Sequence, residues 1–193
     1  MIVFSDLHGQ LDFLQRLLAT TTGPWLCNGD VLGAGGGNLE CLQLLEERGI
    51  PCTLGNHEVD LLKVYRLPED RLAWVRTWPL ALVCEEGYFT HTLTEDTNLG
   101  PHFQRVHHDE QAEELVTRGA GRPVFIGHTH LPGWWEVSRS GVCWHPVFIE
   151  HELALEAGVG YVINLGSLGE PSAPQHPRYV QFEGSLVRWR RLT

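Results

Sequence analysis

The stretch "IVFSDLHGQLDFL" (residues 2–14) decides how the rest of the chain is read. Ile2, Val3 and Phe4 form an apolar run too short for a helix, and it empties into Asp6, His8 and Gly9. Beyond Gly9, Leu11, Leu14, Leu17 and Leu18 recur at the spacing that places one face of a helix against a core. The stretch therefore predicts a buried strand, a tight polar turn and an amphipathic helix. A run that is apolar at every position is the mark of a strand covered on both faces, as in parallel sheets. Taken alone, Asp6 is an ordinary turn residue and His8 an ordinary structural histidine. They carry chemistry only if other strands deliver partners to the same place.

The same grammar recurs. "PWLC" (24–27) and "PCTL" (51–54) read as short strands, and Asn38 stands where a helix carrying Leu39, Leu42 and Leu45 would be capped, with an end near Gly49. "EVDLLKVYRL" (58–67) and "EDRLAWVRTW" (69–78) read as helices split by Pro68. "LALVCEEGYFTH" (80–91) reads as a hairpin turning at Glu85-Glu86-Gly87. "DEQAEELVTR" (109–118) is a surface helix ended by Gly119, and "PVFI" (123–126) another buried strand. From residue 133 onward strand signals dominate: "GWWEV", "GVCWHPVFI", "GYVINL", "RYVQF" and "SLVRWRRL". Alternating strands and helices followed by hairpins predict an α/β fold with a mixed sheet or two stacked sheets. The 193 residues fit one domain spanning 1–193.

Composition limits the partners. With 24 acidic against 14 basic residues the net charge is −10, and lysine is nearly absent. A general nucleic-acid binder would meet phosphate repulsion, so that role is disfavoured. A phosphate-bearing substrate is not, because bound cations invert the local field. No apolar run reaches the length that crosses a bilayer, and the first residues lack the basic region of a signal peptide. Five scattered cysteines, odd in number and without a Cys-x-x-Cys pair, argue against a disulfide framework or a thiolate zinc site. The reading is a soluble cytoplasmic protein without a membrane partner, with room for a homo-oligomer.

Each strand end is followed by residues of one chemical type: Asp6 and His8, then Asp30 of "NGD", then Asn56, His57 and Glu58 of "GNHE", then His91, then His128 and His130 of "GHTH". In open α/β sheets ligands gather outside the carboxyl ends of strands, so these ends should meet on one rim. Oxygen and imidazole donors without thiolate suit manganese, iron, zinc, nickel or cobalt. Seven donors exceed what one catalytic ion needs, and fit two ions sharing a carboxylate, for which Asp30 is the candidate bridge. "GAGGGN" (33–38) lacks the lysine and hydroxyl ending of a phosphate-cradling P-loop and reads as a connection.

Taken in order, "SDLHGQLDFL", "NGDVLGAGGGN", "LGNHE", an isolated histidine, "VFIGHTHLP" and "INLGSLGEP" resemble the calcineurin-like metallophosphoesterase superfamily, in its compact bacterial and archaeal phosphodiesterase branch. The resemblance implies a four-layer αββα sandwich of two stacked mixed sheets. It implies a hydrolase of ester bonds that uses two divalent transition-metal ions, manganese ahead of iron, nickel, cobalt or zinc, and a hydroxide shared between them. On that likeness Asp6, His8 and His130 hold one ion, Asn56, His91 and His128 the other, and Asp30 bridges them. His57 lies near the phosphoryl group, to stabilise developing charge and to protonate the leaving oxygen, Asn56 both ligates and orients, and Glu58 supports the ligands or caps the following helix. The family's His-Gly or His-Ala pattern is "HTLTED" here, which leaves His102 and His107 as alternatives to His91. Ser172 follows Pro171 where the family often has arginine.

"GDVLGAG" lacks the arginine of the protein-phosphatase motif, so small phosphodiesters or dinucleoside polyphosphates are the favoured substrates. A protein or nucleotide phosphomonoesterase is the alternative, and a non-catalytic metal-binding scaffold the remoter one. Trp134, Trp135 and Trp144 could stack on an aryl group or base, although core packing in a late hairpin is the simpler reading.

Overall fold

A computed structural model describes residues 1–60, 64–98, 100–170 and 176–193. The first sheet has the order β10 (His151–Ala154), β13 (Leu186–Arg191), β12 (Arg178–Glu183), β1 (Ile2–Phe4), β2 (Trp25–Cys27). The second has the order β3 (Ala81–Val83), β4 (Tyr88–Thr90), β7 (Val124–Ile126), β11 (Gly160–Asn164), β8 (Gly133–Ser138), β9 (Gly141–Pro146). Each is mixed. Strands β1 and β2 run parallel, as do β4, β7 and β11, and their neighbours are antiparallel. A separate ribbon pairs β5 (Leu93–Thr97) with β6 (Gly100–Gln104).

Period-2 alternation assigns each strand residue to a layer. Val3 and Phe125 point between the sheets, into a core that also holds Phe89, Ile163, Val180, Phe182 and Trp189. The neighbours of Val3, Ile2 and Phe4, point the other way, against α1 (Leu11–Thr20) and α2 (Asn38–Glu47). The neighbours of Phe125, Val124 and Ile126, point onto α5 (Asp109–Gly119) through Ala112 and Leu115. The layers are thus helix, sheet, sheet, helix: the αββα sandwich that the family resemblance implies. Across the middle, Phe125 stacks on Phe89 at 4.8 Å and meets Phe182 of the facing sheet at 5.1 Å between ring centroids. Burying each such side chain contributes about 1.5–3 kcal/mol, so this seam holds the two sheets in a fixed relation.

Several local readings need correction. "PCTL" is no strand but a single parallel bridge from Cys52 to Cys27, because Leu54 N–H already turns away to the Pro79 carbonyl. Among the described residues helix α3 spans Asn56–Asp60, and residues 64–68 are irregular before α4 (Glu69–Val75), as Pro68 disfavours helix in the residue before it. Residues 61–63 of that predicted helix lie outside the described residues. Gly37, not Asn38, stands at the cap of α2. The Asn38 amide instead closes the glycine loop on itself, accepting from Gly33 N–H and donating to Gly33 C=O. Strand β10 and the β5–β6 ribbon had no sequence signal recognised above.

Candidate metal centre

The carboxyl ends of β1, β2, β4 and β7 reach one rim, and the backbone there is bent in a way L-residues rarely adopt. Asp6, His8, Asp30, His128 and His130 all have positive φ, between 51° and 68°. The sixth such non-glycine residue among those described, Ala120, ends α5. Left-handed backbone costs about 1 kcal/mol or more at each non-glycine residue. Its concentration at five candidate ligands shows what the turns are bent to do: carry side chains 6 and 8, or 128 and 130, to the same place.

The donors form two groups. His130 Nε2 lies 3.2 Å from Asp6 Oδ1, His8 Nε2 3.9 Å from the same oxygen, and the two imidazole nitrogens are 3.1 Å apart. His91 Nε2 lies 3.2 Å from Asp30 Oδ2, and His128 completes that group. Asp30 also falls within reach of His8 and His57, between the two groups. Nitrogen and oxygen donors about 2.0–2.2 Å from one ion lie about 3–3.5 Å from one another, so both spacings suit a cation. Each group draws on both sheets: Asp6, His8 and Asp30 follow strands of the first, His91, His128 and His130 strands of the second.

Two buried polar atoms support the fit. Asn56 Oδ1 and His91 Nε2 have no hydrogen-bond partner. Such orphans are costly unless something else satisfies them. For His91 the orientation is fixed: Nδ1–H donates to the Asn28 carbonyl at 2.9 Å, which turns Nε2 and its lone pair toward Asp30. His57 is held likewise, Nδ1–H donating to Leu32 C=O at 3.0 Å, with Nε2 3.9 Å from Asp30 Oδ2. Asp6 accepts the His128 N–H on both oxygens at 3.1 Å, and Asp30 accepts the His57 N–H at 2.9 Å.

Taken without a cation, the protein's own charges show strain. Burial resists ionisation of Asp6 and Asp30, yet both are held below the usual carboxylate range: Asp6 by the His130 hydrogen bond and the His91 charge, Asp30 by His91 and His57. Burial works against the charge of His91 too, and Asp30 overrides it, raising His91 to about 10. Burial and the His91 charge push His128 down to about 4. Burial lowers His8, whereas the Asp6 contact raises His130 against its burial. Two fully enclosed carboxylates require positive charge beside them. The His91 and His130 imidazoles, both raised by these carboxylates, supply part of it, and a divalent cation would supply more.

Glu58 does what both sequence readings proposed. It is buried and accepts three backbone N–H bonds of 2.9 Å, from Asp30, Leu32 and Gly55. The Gly55 bond caps α3, and the other two tie the Asp30 loop to it. Burial, reinforced by the Asp30 charge, raises its carboxyl to about 7 despite those bonds. Gly55 is small because a Cβ there would overlap the Asp30 carboxylate. The glycine loop serves as packing, its N–H groups at Gly35 and Gly37 donating to His8 and Gly9 carbonyls.

A cavity of about 320 Å³ opens over the donors, with Asp6 and His91 beneath its floor. Besides the predicted residues, Arg105, Thr129 and Glu170 line it. Arg105 escaped the sequence reading because it belongs to no motif and reaches the rim from the end of the unrecognised ribbon. His91 is fully buried beside Asp30 and belongs to the second donor group. His102 and His107 line other cavities. Pro171 and Ser172 lie outside the described residues.

An αββα sandwich with carboxylates and imidazoles gathered at its strand ends is the architecture of a metal-dependent hydrolase. A model of the calcineurin-like phosphoesterase family matches residues 1–164, and the chain belongs to that family: it is a hydrolase acting on ester bonds, from a family that uses divalent metals. Among solved structures it is similar to a metallophosphoesterase from Sphaerobacter thermophilus, with TM-score 0.80 and 21% identity over 98% of this chain and 87% of that one. It is also similar to the Yfce phosphoesterase from E. coli, with TM-score 0.55 and 18% identity over 100% and 92% of the two chains. An uncharacterized protein of Methanocaldococcus jannaschii is 23% identical, over 88% of this chain and 76% of its own. No helix among the described residues is long and apolar enough to cross a membrane.

Proposed function

We propose that this protein hydrolyses small phosphodiesters or dinucleoside polyphosphates with two divalent cations, manganese foremost, and acts in the cytoplasm. The observation that carries the reading is the pair of adjoining donor groups, Asp6/His8/His130 and Asp30/His91/His128, with Asp30 between them and Asn56 Oδ1 left without a protein partner. When bound, such a cation pair supplies a hydroxide nucleophile near neutral pH and countercharge for the phosphoryl oxygens.

The remaining roles belong to the chain. Asp6 and Asp30, kept ionised inside the protein, offer the anionic donors. The Asn28 carbonyl keeps His91 in the tautomer that ligates, and Glu58 fixes the loop carrying Asp30. His57 is oriented by Leu32 so that Nε2 can deliver a proton to the departing ester oxygen. Arg105 supplies a lasting positive charge at the rim for a non-bridging oxygen.

The test couples metal analysis to turnover. The protein supplied with Mn²⁺ should hold two ions per chain and hydrolyse bis(p-nitrophenyl) phosphate faster than p-nitrophenyl phosphate. Asp30→Ala should lose metal stoichiometry and activity together. A single ion with faster monoester cleavage would turn the reading toward a phosphomonoesterase, and two ions without turnover toward a scaffold.

A further inference from the structure

A second cavity, of about 150 Å³, adjoins the metal cavity. The two share Thr129 as a wall, and consecutive residues of one segment line them: Arg105 the first, Val106 the second. Thr129 is a fixed partition, its hydroxyl accepting from Asn164 Nδ2 at 2.9 Å and from Leu131 N–H at 3.3 Å. The second cavity is aromatic and aliphatic inside, with the Trp135 and Trp144 rings 4.0 Å apart between centroids, beside Val106 and Leu131. His107 and Asp109, both exposed, make its polar rim. Trp134, by contrast, faces the other way and packs between the sheets against Trp189, so the three tryptophans divide between core and cavity.

We infer that this cavity is the subsite for one ester group of the substrate, and that the group is a single uncharged planar ring such as a phenyl or pyrimidine. The inference rests on the phosphoesterase reading above and narrows it. An apolar cavity of about 150 Å³ accepts a benzene ring, which sets the size. Tilted indoles offer a face and an edge to a flat ring. Asp109 at the rim disfavours an anionic substituent. The shared Thr129 wall sets the attachment: a phosphorus over the metal donors places an ester oxygen beside it, with the second cavity on its other side.

Phosphonates isolate the ring's contribution, since methylphosphonate and phenylphosphonate differ only in the group on phosphorus. Calorimetric titration of the manganese-supplied protein should show phenylphosphonate binding about tenfold more tightly than methylphosphonate, as burial of one ring face warrants. Leu131→Trp, which closes the mouth, and Trp144→Ala, which removes a wall, should each bring that ratio close to one. Equal binding of the two phosphonates by the unaltered protein, or a preference that survives both substitutions, overturns the subsite. If phenylphosphonate binds no more tightly than methylphosphonate while inorganic phosphate binds and bis(p-nitrophenyl) phosphate is hydrolysed, the phosphoesterase reading stands while the subsite falls. If nothing binds and nothing is hydrolysed, both fall together.

Discussion

On the proposed mechanism, His57 separates binding from chemistry. Its Nδ1 is occupied by Leu32 and its Nε2 faces the cavity at a distance from Asp30 too long for a strong hydrogen bond. A proton donor contributes about 10²–10⁴-fold to rate. His57→Ala should therefore keep both ions and lose about that much in kcat, as read by metal analysis beside steady-state kinetics; loss of an ion would make His57 a ligand instead. Arg105 touches neither donor group by any short contact, so its removal should act on substrate. Arg105→Ala is expected to raise KM for bis(p-nitrophenyl) phosphate about tenfold with both ions retained, and Arg105→Lys to recover part of it, since a lysine keeps charge but not the planar fork. The difference in legibility between these two residues is physical. His57 sits in "GNHE", two residues after the glycine that precedes α3, where local sequence and site coincide. Arg105 follows a ribbon whose strands, "LTEDT" and "GPHFQ", are polar and lack apolar alternation, and it reaches the rim only because the chain folds back there. The left-handed φ values at five donors were equally unreadable, since nothing in "DLH" or "GHTH" distinguishes that bend from an ordinary turn.

At the scale of elements, short pieces of chain act through one buried carboxylate. Strand β2 and helix α3 are far apart in sequence, and Glu58 joins their loops with three backbone bonds. Glu58→Gln keeps the shape but replaces one accepting oxygen with a donor, leaving at least one buried N–H unsatisfied. The expected cost is about 1–3 kcal/mol of stability, measured by urea unfolding of the chelator-treated protein, and weaker metal binding because the Asp30 loop is loosened. A change in metal affinity without loss of stability would mean that Glu58 acts on the centre through charge alone. Strong apolar periodicity made α1, α2 and α5 readable, as did the buried runs of β1 and β7. "PCTL" misled because four apolar-leaning residues satisfy a strand pattern whether or not a neighbour extends the ladder. Here one bridge to Cys27 is all that the turn toward Pro79 permits.

The whole molecule is two sheets joined by an aromatic seam and, at one edge, by polar pins. Asn28 of the first sheet's rim donates to the Thr90 and Phe125 carbonyls of the second at 2.8 and 2.9 Å, and Asp6 receives the His128 N–H. Each donor group also spans the seam. Any ion bound there is thus a staple between sheets as well as a reagent, and it stabilises the folded state in proportion to its affinity. Free metal at 100-fold above its dissociation constant adds about 2.7 kcal/mol for one site. In a chain of this size that raises the melting temperature by about 5–10 °C. Calorimetric melting with Mn²⁺ should exceed melting with a chelator by at least that margin, and Asp30→Ala, which removes the shared donor, should erase most of the difference. If chelation leaves the transition unmoved while hydrolysis still depends on metal, the ions are held by one sheet alone and the spanning arrangement of donors is not how they bind.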